Sequence, residues 1–264
     1  MARNILFHIL FFVAYVPLTT AQTNIQAEEY STIAAQHRKN LQPDSAIFFY
    51  EKAATAYQAN GDLAKFINAY NDIGILLTRQ DNYLKAKSYL ESALATGLSL
   101  PDTNSLEVAT TYLSLGVVYN AEEQYDQALR YHHRALVIRL VKLGEKHADV
   151  ATCYGNIGNV HRNNKSYEKS IEAHERAMYI RAELFGATSA EIIESYVGLG
   201  NAYREKKEYT TALLYFEKAL NNKIIQRGEG HKDLSRFYKY ISDVYYLMDN
   251  KEQGDLYKEK AIKI

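Results

Sequence analysis

Tyr112-Leu-Ser-Leu-Gly116 and, 42 residues further on, Tyr154-Gly-Asn-Ile-Gly158 decide the fold. The same frame stands one interval earlier as Tyr70-Asn-Asp-Ile-Gly74. It returns later as Tyr196-Val-Gly-Leu-Gly200 and, with serine for glycine, as Tyr238-Lys-Tyr-Ile-Ser242. Twelve residues after each anchor comes a small residue (Ala86, Ala128, Ser170, Ala212, Gly254), and nineteen after it an alanine (Ala93, Ala135, Ala177, Ala219, Ala261). A fixed period of this size marks an array of like supersecondary units rather than one closed core.

Within one period the pattern is helical. Ala109, Tyr112, Leu113, Leu115, Gly116 and Tyr119 recur at three- and four-residue steps, and Glu122-Glu123-Gln124 interrupts them. A second stripe follows through Ala128, Leu129, His132, Ala135, Leu136 and Ile138 to Leu143-Gly144. Two amphipathic helices joined by a turn of a few residues must lie antiparallel. Glycine inside a helix costs about 1 kcal/mol against alanine, so its fourfold return marks a close approach of backbones. The spacing predicts that Gly116 faces Ala128 at the crossing. An earlier unit keeps the same offsets through Ala34, Ala46 and Ala53, which brings the expected total to six helix pairs.

Composition fits an ordered, repeat-built chain: 264 residues, 47% hydrophobic and 23% charged, with three prolines to break helices. Twenty-three tyrosines against nine phenylalanines and no tryptophan make tyrosine the packing aromatic. The formal net charge is zero, which gives no basic excess for nucleic acid or anionic lipid. Cys153 is the only cysteine, so no intramolecular disulfide exists, and its place beside Tyr154 predicts a buried structural thiol.

The first residues read as a secretory signal peptide over 1–21. Arg3 gives a positive start, Ile5 to Val16 an apolar run, and Pro17-Leu-Thr-Thr-Ala21 a small-residue stretch before Gln22. Cleavage is expected after Ala21, leaving an exported mature chain, periplasmic or secreted, with no membrane span. The apolar run is short of the roughly 20 residues a span needs. Translocation is the premise of that location; without it the chain is a cytosolic adaptor.

The repeat frame resembles the tetratricopeptide repeat, in the 42-residue form of kinesin light chain-like arrays. That family's linker is matched by Leu143-Gly-Glu-Lys-His147-Ala-Asp-Val-Ala151 and, more loosely, by Arg227-Gly-Glu-Gly-His231-Lys-Asp-Leu-Ser235. The tryptophan-type position of the family is tyrosine in every clear copy here. The resemblance implies an all-α, right-handed α-solenoid over residues 22–264, a superhelix of about six antiparallel helix pairs. The expected units are about 24–60, 62–100, 103–143, 147–186, 189–228 and 231–264. Ser242 and Gly254 depart from the pattern, so the last pair is expected to pack less tightly.

No nucleophile elbow, phosphate-binding glycine loop or His-Glu-x-x-His motif is present, so the expectation is a non-enzymatic protein without cofactor. His132 and His174 recur sixteen residues after their anchors and His161 three after its own, the one set of imidazoles with metal-ligand chemistry. No ligand-type spacing recurs among them. They are expected to be partly buried, hydrogen-bonded residues of the stack, and the linker histidines His147 and His231 to cap or pack their turns.

In the resembled fold the first helix of each unit lines a concave groove, at offsets −6, −3, +1 and +4 from the anchor. The N-terminal groove is then neutral, with Ile75, Leu113 and Val117. The C-terminal half carries a ladder of amides and cations: Asn120, Asn159, Arg162, Asn201, Arg204, Arg236 and Lys239. Amides bond the backbone of an extended peptide and guanidinium forks suit carboxylates. The expected partner is an extended, acidic segment of another protein, with Glu194, Glu205 and Asp243 near enough to compete for the arginines. A second reading, by resemblance, is the extracytoplasmic input region of a bacterial signalling protein.

Overall fold

The computed structural model describes residues 20–264; most of the expected signal peptide lies outside them. Twelve α-helices follow one another: α1 (Thr20–Lys39), α2 (Pro43–Asn60), α3 (Leu63–Arg79), α4 (Tyr83–Ser99), α5 (Leu106–Ala121) and α6 (Tyr125–Leu143). They continue as α7 (Ala148–Asn163), α8 (Tyr167–Phe185), α9 (Ile193–Glu205), α10 (Tyr209–Arg227), α11 (Ser235–Leu247) and α12 (Lys251–Lys263). A 3-10 turn, Lys232–Leu234, leads into α11. Each odd-numbered helix packs on the next even one, and each pair packs on the following pair, giving an all-α solenoid of six antiparallel pairs. None of the described helices is long and apolar enough to cross a membrane.

Two kinds of turn build the array. Between pairs, Gly144, Gly186 and Gly228 close α6, α8 and α10 at φ +81°, +88° and +81°. Open space surrounds the Cβ position of each, so backbone conformation and not crowding calls for glycine there. Within pairs, the residue seven after the anchor adopts the left-handed conformation every time and is never glycine: Leu41, Asp81, Glu123, Lys165, Lys207 and Asp249, at φ 57° to 67°. His147 and His231 cap the linkers, each accepting a hydrogen bond at Nδ1 from the backbone N–H two residues on, at 3.1 Å.

The anchor glycine does not face the small residue twelve later. A Cβ built on Gly116 meets the His132 ring at 2.5 Å, one on Gly74 meets Leu90 at 2.6 Å, and one on Gly200 meets Phe216 at 2.6 Å. The large side chain sixteen residues after the anchor is the one that needs the glycine. It lies across the crossing, and Ala86, Ala128, Ser170 and Ala212 are buried beside it. In the first pair Ala34 holds the anchor place and Tyr50 the wedge. The last pair inverts the arrangement: Ser242 donates from Oγ to the Gly254 carbonyl at 2.8 Å, and Tyr246 rests on Gly254. Ser242 and Gly254 are both buried, so this pair closes by a different route rather than packing loosely.

Tyrosines pack the flank of three of the pairs. Tyr119 stacks on Tyr131, Tyr203 on Tyr215 and Tyr245 on Tyr257, with ring centroids 5.2, 5.6 and 5.5 Å apart. Offset aromatic pairs of this kind add about 0.5–1.5 kcal/mol to the burial of their area. The third 42-residue unit has His161 and Ala173 at those positions and no stack. Cys153 is fully buried, 3.6 Å from the Arg139 guanidinium, and burial pushes its thiol pKa up.

Candidate partner-binding groove

The helices α3, α5, α7 and α9 touch in succession, so their outward residues share one surface. At the +1 offset, Val117 and Asp243 are exposed, while Ile75, Asn159 and Asn201 are half-buried. At +4, Thr78, Asn120, Arg162 and Arg204 are half-buried and Tyr246 is exposed. The −3 offset departs from the expected groove. Asn71 and Val197 are buried, and Asn71 Nδ2 donates to the Glu107 carbonyl of the next unit at 3.3 Å. Adjacent first helices approach closely enough there to cover the position, and Lys239 alone of the set is exposed.

Four residues of the ladder are engaged by other side chains of the protein. Arg162 Nη2 donates to Asn163 Oδ1 at 3.2 Å, and Asn163 Nδ2 donates to Asn120 Oδ1 at 3.1 Å, tying α7 to α5. Arg204 pairs with its neighbour Glu205 at 3.1 Å, and Arg236 reaches back 42 residues to Glu194 at 2.8 Å. Asn163, five after its anchor and beside Arg162, was not among the expected groove residues, whereas Glu205 was expected to compete for the arginines and does pair with Arg204. Asn159 and Asn201 make no side-chain hydrogen bond among the described residues.

Arg162 differs from the other cations. Burial first, then the charge of Arg204, pulls its pKa below the ordinary guanidinium value, and only Glu205 among the nearby carboxylates opposes this. Its Nε is buried without a hydrogen-bond partner. A buried, unpartnered polar atom of this kind costs free energy.

The histidines of the stack fall into two settings. His132 and His174 are 1% and 2% exposed, each a wedge in its own pair. They are more buried than expected, and Nδ1 of both and Nε2 of His174 lack the hydrogen bonds foreseen for them. Burial lowers the pKa of His132 to about 4 and that of His174 to about 3. His161 is half-buried at the flank, near His133 and Lys169. No group of three or more His, Cys, Asp or Glu among the described residues is placed to hold a metal ion.

A tetratricopeptide repeat family model matches residues 107–163 and 149–225. Among solved structures, BtubC (BKLC) from P. vanneervenii is 19% identical with a TM-score of 0.67, covering 91% of this chain and 90% of its own. A putative kinesin light chain from Podosopora anserina, with nearly identical repeats, is 14% identical with a TM-score of 0.62, covering 77% of this chain and 98% of its own. The apo form of RapI is 16% identical with a TM-score of 0.61, covering 90% and 96%. At these identities the likeness is one of fold. No curated protein matches the sequence. The family match shows tetratricopeptide repeats over residues 107–163 and 149–225, and the 42-residue period and helix pairs carry the same solenoid fold through the described residues, as in the kinesin light chain repeat structure.

Proposed function

We propose that this protein is a non-enzymatic interaction scaffold whose groove holds an extended, acidic segment of a partner protein. A solenoid of helix pairs presents a long surface without needing catalytic groups. The observation that carries the reading is the half-buried Arg162 guanidinium, with Nε unpartnered and Arg204 one unit away along the groove. A carboxylate placed between them accepts from both forks and relieves their mutual repulsion. The free amides of Asn159 and Asn201, also one unit apart, suit the backbone of an extended chain. Asn120, Arg236 and Lys239 extend the same surface toward either end.

Capture of a partner by the purified protein, compared with an Arg162→Gln/Arg204→Gln variant, tests the assignment. The variant removes both charges and leaves a shorter, polar side chain at each position. Binding at least tenfold weaker, about 1.4 kcal/mol, and less sensitive to salt, is the expected result. Unchanged affinity rules out this part of the groove.

We propose also that the chain is exported, on the strength of the charged start, apolar run and small-residue stretch over residues 1–21. The mass of the protein isolated from its source is the check. A chain beginning at Gln22 is expected, and one retaining Met1 overturns export.

A further inference from the structure

A cleft of about 510 Å³ lies where the α10–α11 linker meets the start of α11, lined by Lys223, Lys232, Asp233, Ser235, Arg236 and Lys239. We propose that this cleft is a phosphate-binding site, taking a tetrahedral dianion that is either free or carried on a partner's side chain. It goes beyond the ladder, since Lys223 and Lys232 lie outside the groove offsets and the anion differs in kind.

Position 23 after the anchor explains why the cleft is cationic. In two earlier units that position holds Arg139 and Arg181, whose guanidinium groups enter the stack. Arg139 is buried and spends its terminal nitrogens on protein acceptors, donating to the Asp149 carbonyl at 3.1 Å and approaching Thr110 Oγ1 at 3.4 Å. Arg181 is held by the Ser195 hydroxyl at 2.6 Å. In the next unit the position is Lys223, which opens into the cleft and meets Asp233 at 3.3 Å. The row of cations thus surfaces here.

The charge count selects the ligand. Four cations line the cleft against Asp233, and Glu194 pairs with Arg236 from outside at 2.8 Å, which leaves a net +2. The excess corresponds to Lys232 and Lys239, both exposed and without an ion pair among the described residues. A phosphate monoester carries about −1.5 to −2 charge near neutral pH and three acceptor oxygens. Lysine ammoniums are rotatable point donors and suit a tetrahedral anion, whereas the planar carboxylate fits the arginine forks of the ladder. Asp233 faces the same space, so the anion is expected nearer Lys232 and Lys239 than Lys223.

The test is thermal unfolding of the purified protein in about 20 mM sodium phosphate against sodium chloride of equal ionic strength. A Lys232→Glu/Lys239→Glu variant and a Lys232→Met/Lys239→Met variant run alongside. A ligand that binds only the folded state raises Tm, and phosphate also stabilises proteins without binding. The expected readout is therefore the difference: a phosphate-dependent rise about 3 °C larger in the wild type than in either variant. Equal rises in all three proteins, or none, overturn the site. The tripeptide Gly-phosphoserine-Gly separates the sources. A larger shift than inorganic phosphate at equal concentration assigns the phosphate to a partner's side chain, and a smaller one to the free anion. Because the probe is phosphate itself, failure of the Arg162 and Arg204 variants to alter partner capture does not affect this outcome.

Discussion

Gly198→Ala is expected to destabilise the protein by about 2 kcal/mol, although alanine is the better helix former by about 1 kcal/mol. The reason is His174. Its ring lies between Gly158 on α7 and Gly198 on α9, with a built Cβ at 2.7 Å from the ring on the first side and 2.4 Å on the second. A methyl on either helix drives the imidazole toward the other glycine, so the strain is not relieved by rotating one flexible side chain. Elsewhere the same interval is filled differently. Phe216 meets Tyr240 of the next unit with centroids 5.1 Å apart, and Tyr50, its pKa raised first by burial, lies near the Asp72 carboxylate, whose charge helps raise it further. Wedge and opposing residue therefore act as a pair. Urea denaturation of Gly198→Ala, His174→Ala and the double variant measures that coupling. In the His174→Ala background the same glycine substitution is expected to stabilise by up to about 1 kcal/mol, because propensity acts alone once the ring is gone. A stabilising Gly198→Ala in the wild-type background contradicts the wedge.

Much of the fold was legible because every unit solves the same packing problem with the same side chains. Gly74, Gly116, Gly158 and Gly200 announce four crossings, and the alanines nineteen residues later announce the packing between neighbours. The partner of each glycine was not legible. Which side chain of the second helix arrives over the anchor depends on how the turn is wound, and the turn hides its geometry. Leu41, Glu123, Lys165 and Lys207 adopt positive φ although such residues rarely do. No glycine or asparagine marks the place. The eye goes to Ala128 because it is small, while the space belongs to His132.

The groove was legible only as a direction. Helical period places Arg162 and Arg204 on one face, and the structure keeps them there, half-buried. Period alone does not say that Asn71 and Val197 are covered by the neighbouring unit, or that Arg204 folds back on Glu205. Those outcomes depend on the distance between first helices and on residues five after the anchor, which one-dimensional spacing treats as the next face round. The C-terminal cleft was hidden for a related reason: Lys223 comes from α10 and Arg236 and Lys239 from α11, and the linker through Lys232 brings the two helices together.

Acidification from pH 7 to pH 5 is expected to cost about 2 kcal/mol for each of His132 and His174. In the unfolded chain an imidazole titrates near 6.5. In the folded protein burial holds His132 at about 4 and His174 at about 3, with the charges of Arg162 and Arg181 adding to the effect at His174. The unfolded state therefore takes up protons first. Stability is whole above about pH 6.5 and falls by about 1.4 kcal/mol per group per pH unit below it, until the folded pKa is reached. The estimate at pH 5 requires only that both folded values lie below 5. His161, whose pKa is lowered by burial, contributes in the same direction. Carboxylates such as Asp102, held down by Lys142, add their losses only below about pH 4. The window from 6.5 to 4 therefore belongs mainly to the histidine wedges. Leucine fills the same position as Leu90, so a His132→Leu/His174→Leu variant removes the titration while keeping a wedge in place. Its Tm is expected to change little between pH 7 and 5, whereas the wild type loses several degrees. Parallel profiles for the two proteins refute the assignment. Both rings lie under the units that carry Asn120 and Arg162, and His174 also supports α9, which carries Arg204. Acid loosening of the wedges then disturbs the spacing between Arg162 and Arg204, so partner release is expected to follow the same pH window as the loss of stability.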